Sequence, residues 1–213
     1  MSESFRAICN DFYINQKLSV KMDLPKSRDT VLDLFERVRK QFPPMNLFRR
    51  YKDELALESP QQSEQAHRWL AVRSNNIRSG TVNPQDLAEG YALHRHVLDA
   101  APFFLNISPL DVDYLELLFG FDLMASGNHD GIVFDALLSG SPLSELAGIS
   151  GARTADCQPL VGIRLSREDD VEVHFEVKTR AQAQGQPREE GAQDPISVYL
   201  TLRRFGAVAD IKE

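Results

Sequence analysis

The chain has 213 residues, of which 42% are hydrophobic and 26% are charged, a composition typical of one globular domain with a sizeable core. The formal net charge is −7 and it is uneven. Residues 1–109 hold 15 Lys and Arg against 13 Asp and Glu, whereas residues 110–213 hold 9 against 18. An acidic C-terminal half repels phosphate backbones, so we expect no general binding of nucleic acid.

Cys9 and Cys157 are the only cysteines, and neither has a CxxC partner. A thiolate zinc site is therefore excluded, and a disulfide framework is not expected. The first residues lack the apolar core of a secretory signal, and no stretch approaches the roughly 18 consecutive apolar residues of a membrane span. We therefore expect a cytoplasmic protein without a membrane segment, with residues 1–213 in a single domain.

The N-terminal part of the chain predicts a strand and a helix. Residues 12–22 alternate in polarity like a strand that is buried on one face. Residues 27–42 repeat apolar side chains at helical spacing, and Pro43-Pro44 ends this pattern. The predicted buried stripe of the helix consists of Val31, Leu34, Phe35, Val38 and Phe42.

The following segments predict two more strands and a second helix. The strand candidates cover residues 45–57 and 68–78, and the polar stretch 59–64 joins them as a hairpin loop. Asn83 before Pro84 is a typical helix start, because Asn caps the first turn and Pro fits its first position. We expect this helix to end at about Ala101, before Pro102.

The second half is organised around residues 110–138. The first part of this segment alternates and is apolar on one face and only partly polar on the other, which predicts a strand in the interior of a sheet. Asn128 then caps a short helix. Ser141-Pro142 predicts a further helical turn that buries Leu143 and Leu146.

Three alternating segments near the C-terminus predict three strands, over residues 161–165, 171–177 and 196–202. Residues 181–194 have no apolar anchor and predict a mobile loop. The order β-α-β-β-α-β-α-α-β-β-β favours an α+β fold, with a mainly antiparallel sheet and helices packed on one face. The two halves, 12–109 and 110–206, both open with a strand and a helix, which is compatible with a diverged duplication.

The segment Gly127-Asn128-His129-Asp130 resembles the GNH(D/E) segment of calcineurin-like metallophosphoesterases, in which the Asn and His bind metal and phosphate. The resemblance covers four residues, and the DxH, GDxxD and GHxH motifs of that family do not occur in the sequence. We therefore interpret Asn128 as a helix cap, and Asp130 as a first-turn residue that the helix dipole favours.

The weak metal-ligand candidates are Asp111, Asp113, His129 and Asp130. Carboxylates in DxD spacing point the same way from a strand, and oxygen ligands suit a hard divalent cation. Solvation of a strand end and helix capping explain these residues without an ion, so we expect neither a metal nor another cofactor. His94 and His96 diverge by about 200° around one helix and cannot share a zinc ion, so we expect His94 in the core and His96 in solvent.

The most polar predicted surface lies on the last strands. In a simple strand register, His174 and its neighbours Glu172 and Glu176 share one face with Tyr199 and Arg203 of the next strand. These five residues are the candidate catalytic residues of a hydrolase. The alternative interpretation is a solvent-facing sheet with ordinary cross-strand charge pairs.

The function classes follow from these motifs. The sequence contains no P-loop, dinucleotide-binding or nucleophile-elbow motif. It favours a non-catalytic binding or interaction module, with a protein partner or a small ligand and with homo-oligomerisation left open. The alternatives are a hydrolase that uses carboxylates and His, with or without a metal, and a carrier of a small apolar ligand. An exposed apolar patch or sheet edge would favour the interaction module, whereas a cleft of His and carboxylates would favour the hydrolase.

Overall fold

The computed structural model describes residues 9–25, 27–61, 66–165, 170–179 and 194–207. These residues form a nine-stranded antiparallel sheet and four α-helices, so the predicted α+β class is confirmed. The helices are α1 (Arg28–Gln41), α2 (Leu87–Phe104), α3 (His129–Leu138) and α4 (Ser144–Ala147). The strands are β1 (Asp11–Val20), β2 (Leu47–Arg50), β3 (Leu55–Glu58), β4 (His67–Val72), β5 (Asn76–Val82), β6 (Val112–Leu123), β7 (Leu160–Arg164), β8 (Val171–Lys178) and β9 (Ile196–Phe205).

The strands lie in the order β2-β3-β4-β5-β1-β6-β9-β8-β7. The chain passes from β1 through α1 into the meander β2 to β5, and β5 returns beside β1. It then passes from β6 through α3 and α4 into the meander β7 to β9, and β9 returns beside β6. The two halves therefore repeat one topology about the central β1–β6 pair, and their origin by duplication stays a prediction.

The first half packs its two long helices on one face of the sheet. Ser27 caps α1, and the predicted stripe of this helix is confirmed, since its first four members are buried in the main core. Helix α2 lies on β5 and β1. Gly90 permits this close approach, because a Cβ atom there would lie 2.6 Å from Cδ1 of Ile14.

Two predictions for the first half are wrong in detail. The segments 45–57 and 68–78 each contain a tight turn, so the structure has the four strands β2 to β5 instead of two. Helix α2 starts three residues later than predicted, with Asp86 as its cap: Oδ1 of Asp86 accepts a hydrogen bond from the Glu89 backbone N–H at 2.7 Å. Pro102 lies inside the last turn, where a missing N–H costs only one helical bond.

The second half keeps its predicted strands but not the predicted burial. Strand β6 lies in the sheet interior between β1 and β9, as the alternation indicated. Leu143 and Leu146, beside and within α4, are exposed rather than buried, because no described element packs over them. The predicted mobile loop lies outside the described residues up to residue 193. None of the described helices combines the length and apolar character needed to cross a membrane.

Candidate functional site

The sheet has a face without helices in the described part of the chain, which we call the uncovered face. The cross-strand register places six charged residues in one row on it. From β7 to β5 they are Arg164, Glu172, Arg203, Glu116, Lys17 and Arg78. His174, Glu176 and Tyr199 lie on the same face, so the structure places all five candidate catalytic residues together there.

Three carboxylates of the uncovered face, those of Glu116, Glu172 and Glu176, contact cationic side chains. Nε of Arg203 donates to Oε2 of Glu116 at 2.9 Å, and Nε of Arg164 donates to Oε1 of Glu172 at 3.2 Å. Nζ of Lys178 lies 3.2 Å from Oε1 of Glu176. The first two contacts are ordinary cross-strand pairs of a solvent-facing sheet, and the third joins residues two apart on β8.

Among the residues that the structure describes, His174 has no partner of the kind that a catalytic base requires. Its ring lies against Gly162 of β7, where a Cβ atom would come within 3.0 Å of Cδ2 and Nε2 of the imidazole. Within the described residues, neither ring nitrogen of His174 makes a hydrogen bond. A general base needs an oriented ring, usually through a hydrogen bond from one nitrogen to a carboxylate or carbonyl.

Two aromatic rings of the uncovered face also lie against glycine. Tyr13 covers Gly120, and Trp69 covers Gly80, in each case directly across a strand pair. An added Cβ atom would lie 2.1 Å from the Tyr13 ring or 2.2 Å from the Trp69 ring. Burial raises the pKa of the Tyr13 phenol, and the neighbouring Tyr199 and Asp122 raise it further.

The centre of the uncovered face contains a cavity of about 300 Å³ between the Trp69 ring and the charged row. The side chains that line it include Asn15, Lys17, Asn76 and Arg78. Oδ1 of Asn15, Oδ1 of Asn76 and Nε of Arg78 are buried without a hydrogen-bond partner among the described residues. Sequence reasoning missed this cavity, because its walls come from β1, β4, β5 and β6.

The weak metal-ligand candidates do not come together. Asp111 lies in a 3-10 turn (Pro109–Asp111) before β6, and its Oδ2 accepts a hydrogen bond from the Ser108 backbone N–H at 2.8 Å. His129 and Asp130 follow the other end of β6, whose twelve residues span roughly 40 Å. Of these candidates, only Asp113 belongs to the strand, so the two carboxylates of the DxD do not extend from one strand.

Asp130 and His129 have structural contacts of their own. Oδ1 of Asp130 accepts hydrogen bonds from the Cys157 backbone N–H at 2.9 Å and from the Thr179 hydroxyl at 2.5 Å. Nε2 of His129 lies 2.9 Å from the carbonyl oxygen of Ala125. Asn128 caps α3 as predicted, since its Oδ1 accepts from the Gly131 N–H at 3.2 Å. In the described part of the chain, no three His, Cys, Asp or Glu residues are grouped closely enough to hold a metal ion.

His94 lies in the core as predicted, but His96 does not simply face solvent. Nδ1 of His94 lies 2.7 Å from the Ser79 hydroxyl, and Nε2 lies 3.2 Å from the Ile14 carbonyl oxygen. His96 is half-buried, and its ring meets that of Phe42 edge-on. It lines an open cavity of about 380 Å³ between α1 and α2.

The helix-side face of the second half carries an apolar surface that the sequence did not identify as exposed. Two rows of four residues cross β7, β8, β9 and β6. We call these eight residues the apolar platform: Ile163, Val173, Leu202 and Leu117 in one row, and Val161, Phe175, Leu200 and Phe119 in the other. The exposed fraction is 52% for Val161, 57% for Ile163 and 37% for Leu200.

The corresponding face of the first half is closed. Strand β5 pairs with β1 as β9 pairs with β6, and its helix-side residues Ile77, Ser79 and Thr81 are at most 1% exposed. The difference has a visible cause, since α2 follows β5 and lies on it, whereas only residues 206–207 of the described chain follow β9. The apolar platform is therefore the exposed equivalent, in the second half, of the face that α2 buries in the first half.

No protein-family model matches the chain, and no curated protein matches it.

Proposed function

We propose that this protein is a non-catalytic binding module, resident in the cytoplasm, that recognises another polypeptide through the apolar platform. The exposure of Val161 and Ile163 on β7 and of Leu200 on β9, on the same face and separated by one strand, is the observation that carries the proposal. Contiguous exposed apolar surface on a folded protein marks an interaction site. The cytoplasmic location is supported by the sequence, because its two cysteines, Cys9 and Cys157, do not provide the disulfide framework that is typical of secreted proteins.

The hydrolase alternative has less support. Its candidate carboxylates Glu172 and Glu176 are paired with Arg164 and Lys178, and they flank a His174 ring without a hydrogen-bond partner among the described residues. Catalytic groups need convergent geometry around one reacting atom, which an outward-facing sheet of paired charges does not provide. The apolar carrier has less support too, because charged side chains line both cavities described above.

Site-specific photo-crosslinking tests the proposal. A photoreactive residue is placed at Leu200 on the apolar platform, and in a matched control at Thr201, the next residue, whose side chain is on the uncovered face. We expect crosslinked polypeptide from position 200 in the source cells and little from position 201. Mass spectrometry of the crosslinked peptide then identifies the segment in contact. Equal crosslinking at both positions, or none at position 200, would contradict the proposal.

A further inference from the structure

The apolar platform has a defined shape as well as a composition. On one side it meets α2, where the Tyr91 ring packs edge-on against Phe119 with a centroid distance of 6.4 Å. At one end it meets α3, where Phe134 joins a cluster with Phe175 and Val198. Both helices rise above the sheet by about one helix diameter, roughly 10 Å. The platform is therefore bounded by α2 on one side and by α3 at one end.

The first half of the chain shows what fits such a surface. Strands lie about 4.8 Å apart, so a helix about 10 Å wide covers two of them, as α2 covers β5 and β1. By the repeated topology, the equivalent pair in the second half is β9 and β6. Their helix-side residues Leu200, Leu202, Leu117 and Phe119 are apolar, whereas β5 presents Ser79 and Thr81 to α2.

We infer that the segment bound by the apolar platform is a single amphipathic α-helix of the partner, lying on β9 and β6 as α2 lies on β5 and β1. This inference rests on the proposed function and narrows it to one class of ligand. The helix presents apolar residues at i, i+3, i+4 and i+7, the spacing that makes one continuous stripe. An extended segment would instead pair with the edge of β7, without covering Leu200 on β9.

The test uses the full chain with a helix fused to it, so that the helix and the platform belong to one molecule. An 18-residue amphipathic helix is attached after Glu213 through a flexible Gly/Ser linker, so that even weak docking is measured at a millimolar effective concentration. A second chain carries the same residues in scrambled order. The readout is the rate of thiol labelling in Leu200→Cys and Leu202→Cys on β9, with Thr201→Cys on the uncovered face as the matched control. The buried Cys9 and Cys157 give the background rate in the parent chain.

We expect the amphipathic helix to slow labelling at positions 200 and 202 at least tenfold, with position 201 unchanged and the scrambled helix without effect. Unchanged rates at position 200 would overturn the helix inference. So would equal protection of position 200 by an attached segment of alternating Val and Thr, because the platform would then not select a helix. Concentration-dependent protection in the unmodified chain, with a dimer mass in sedimentation, would replace the helix by a second copy. None of these results depends on the crosslinking outcome, so the two proposals can fail separately. Circular dichroism of each variant establishes that it has folded.

Discussion

Acidification is expected to destabilise the folded protein through His94. Burial lowers the pKa of this imidazole from 6.5 to about 4, although its hydrogen bond to the Ile14 carbonyl opposes the shift. The neutral ring donates from Nε2 to Ile14 and accepts the Ser79 hydroxyl at Nδ1, so an added proton on Nδ1 removes the second bond. The unfolded chain takes up this proton near pH 6.5, whereas the folded protein takes it up only near pH 4. The stability that depends on the neutral His94 ring is therefore complete above pH 6.5 and is lost as the pH falls to about 4. The difference between a pKa of 6.5 in the unfolded chain and about 4 in the folded protein corresponds to about 3 kcal/mol in the free energy of unfolding.

Urea unfolding between pH 7.5 and pH 4, followed by the fluorescence of Trp69, measures this loss. Below pH 6.5, the free energy of unfolding should fall more steeply with falling pH in the wild type than in His94→Gln. The difference in slope should reach up to about 1.4 kcal/mol per pH unit. Ser79→Ala is the matched control, because it removes the partner of Nδ1 but keeps the titrating ring. We expect that variant to be less stable by about 1–3 kcal/mol at pH 7.5 and still to lose stability on acidification. Parallel curves for wild type and His94→Gln would refute the reasoning.

Three further predictions concern stability and are measured by urea unfolding at neutral pH. Leu34→Ala in α1 should cost about 2–5 kcal/mol because Leu34 is fully buried, whereas Leu137→Ala in α3, where the side chain is largely exposed, should cost less than about 1 kcal/mol; similar losses would contradict the core assignment. Asn128→Ala should cost about 0.5–2 kcal/mol by removing the cap of α3, and Asn128→Asp should restore most of this stability because a carboxylate also caps. An equal loss in both variants would show that the hydrogen bond from Nδ2 to the Thr154 carbonyl oxygen matters more than the cap. Gly120→Ala should cost about 1–3 kcal/mol, since the new methyl group displaces the Tyr13 ring, and the same substitution made in Tyr13→Ala should cost clearly less.

Local patterns predicted the elements whose signal lies within a few residues. The stripe of α1 repeats over four turns, so this helix was predicted with nearly correct ends, and the alternation through twelve residues predicted β6 as an interior strand. The cap of α2 was not, because Asn83 is used in a contact distant in sequence. It has a φ of 54°, and its Oδ1 accepts a hydrogen bond from the Phe12 backbone N–H of β1 at 2.9 Å.

The candidate sites show the same limit. Alternation placed His174, Glu172 and Arg203 on one face, because successive side chains of a strand point to opposite sides. It could not show whether anything covers the other face. Leu143 and Leu146 are apolar and were therefore expected to be buried, and the exposure of Leu200 depends on the helix that is present over β5 and absent from the described residues over β9.

The three rings that lie against glycine have a consequence for how the strands find their partners. A strand that slips by one residue turns its apolar side to water, but a slip by two residues keeps every side chain on its own face. Hydrophobic patterning therefore cannot reject the two-residue error. The ring contacts can: a two-residue slip of β1 would set Tyr13 against Leu118 or Asp122 in place of Gly120. A two-residue slip of β4 along β5 would likewise set Trp69 against Arg78 or Val82 in place of Gly80. Each flat ring fits only above a residue without a side chain, so these pairs select one alignment among those that the polarity pattern accepts.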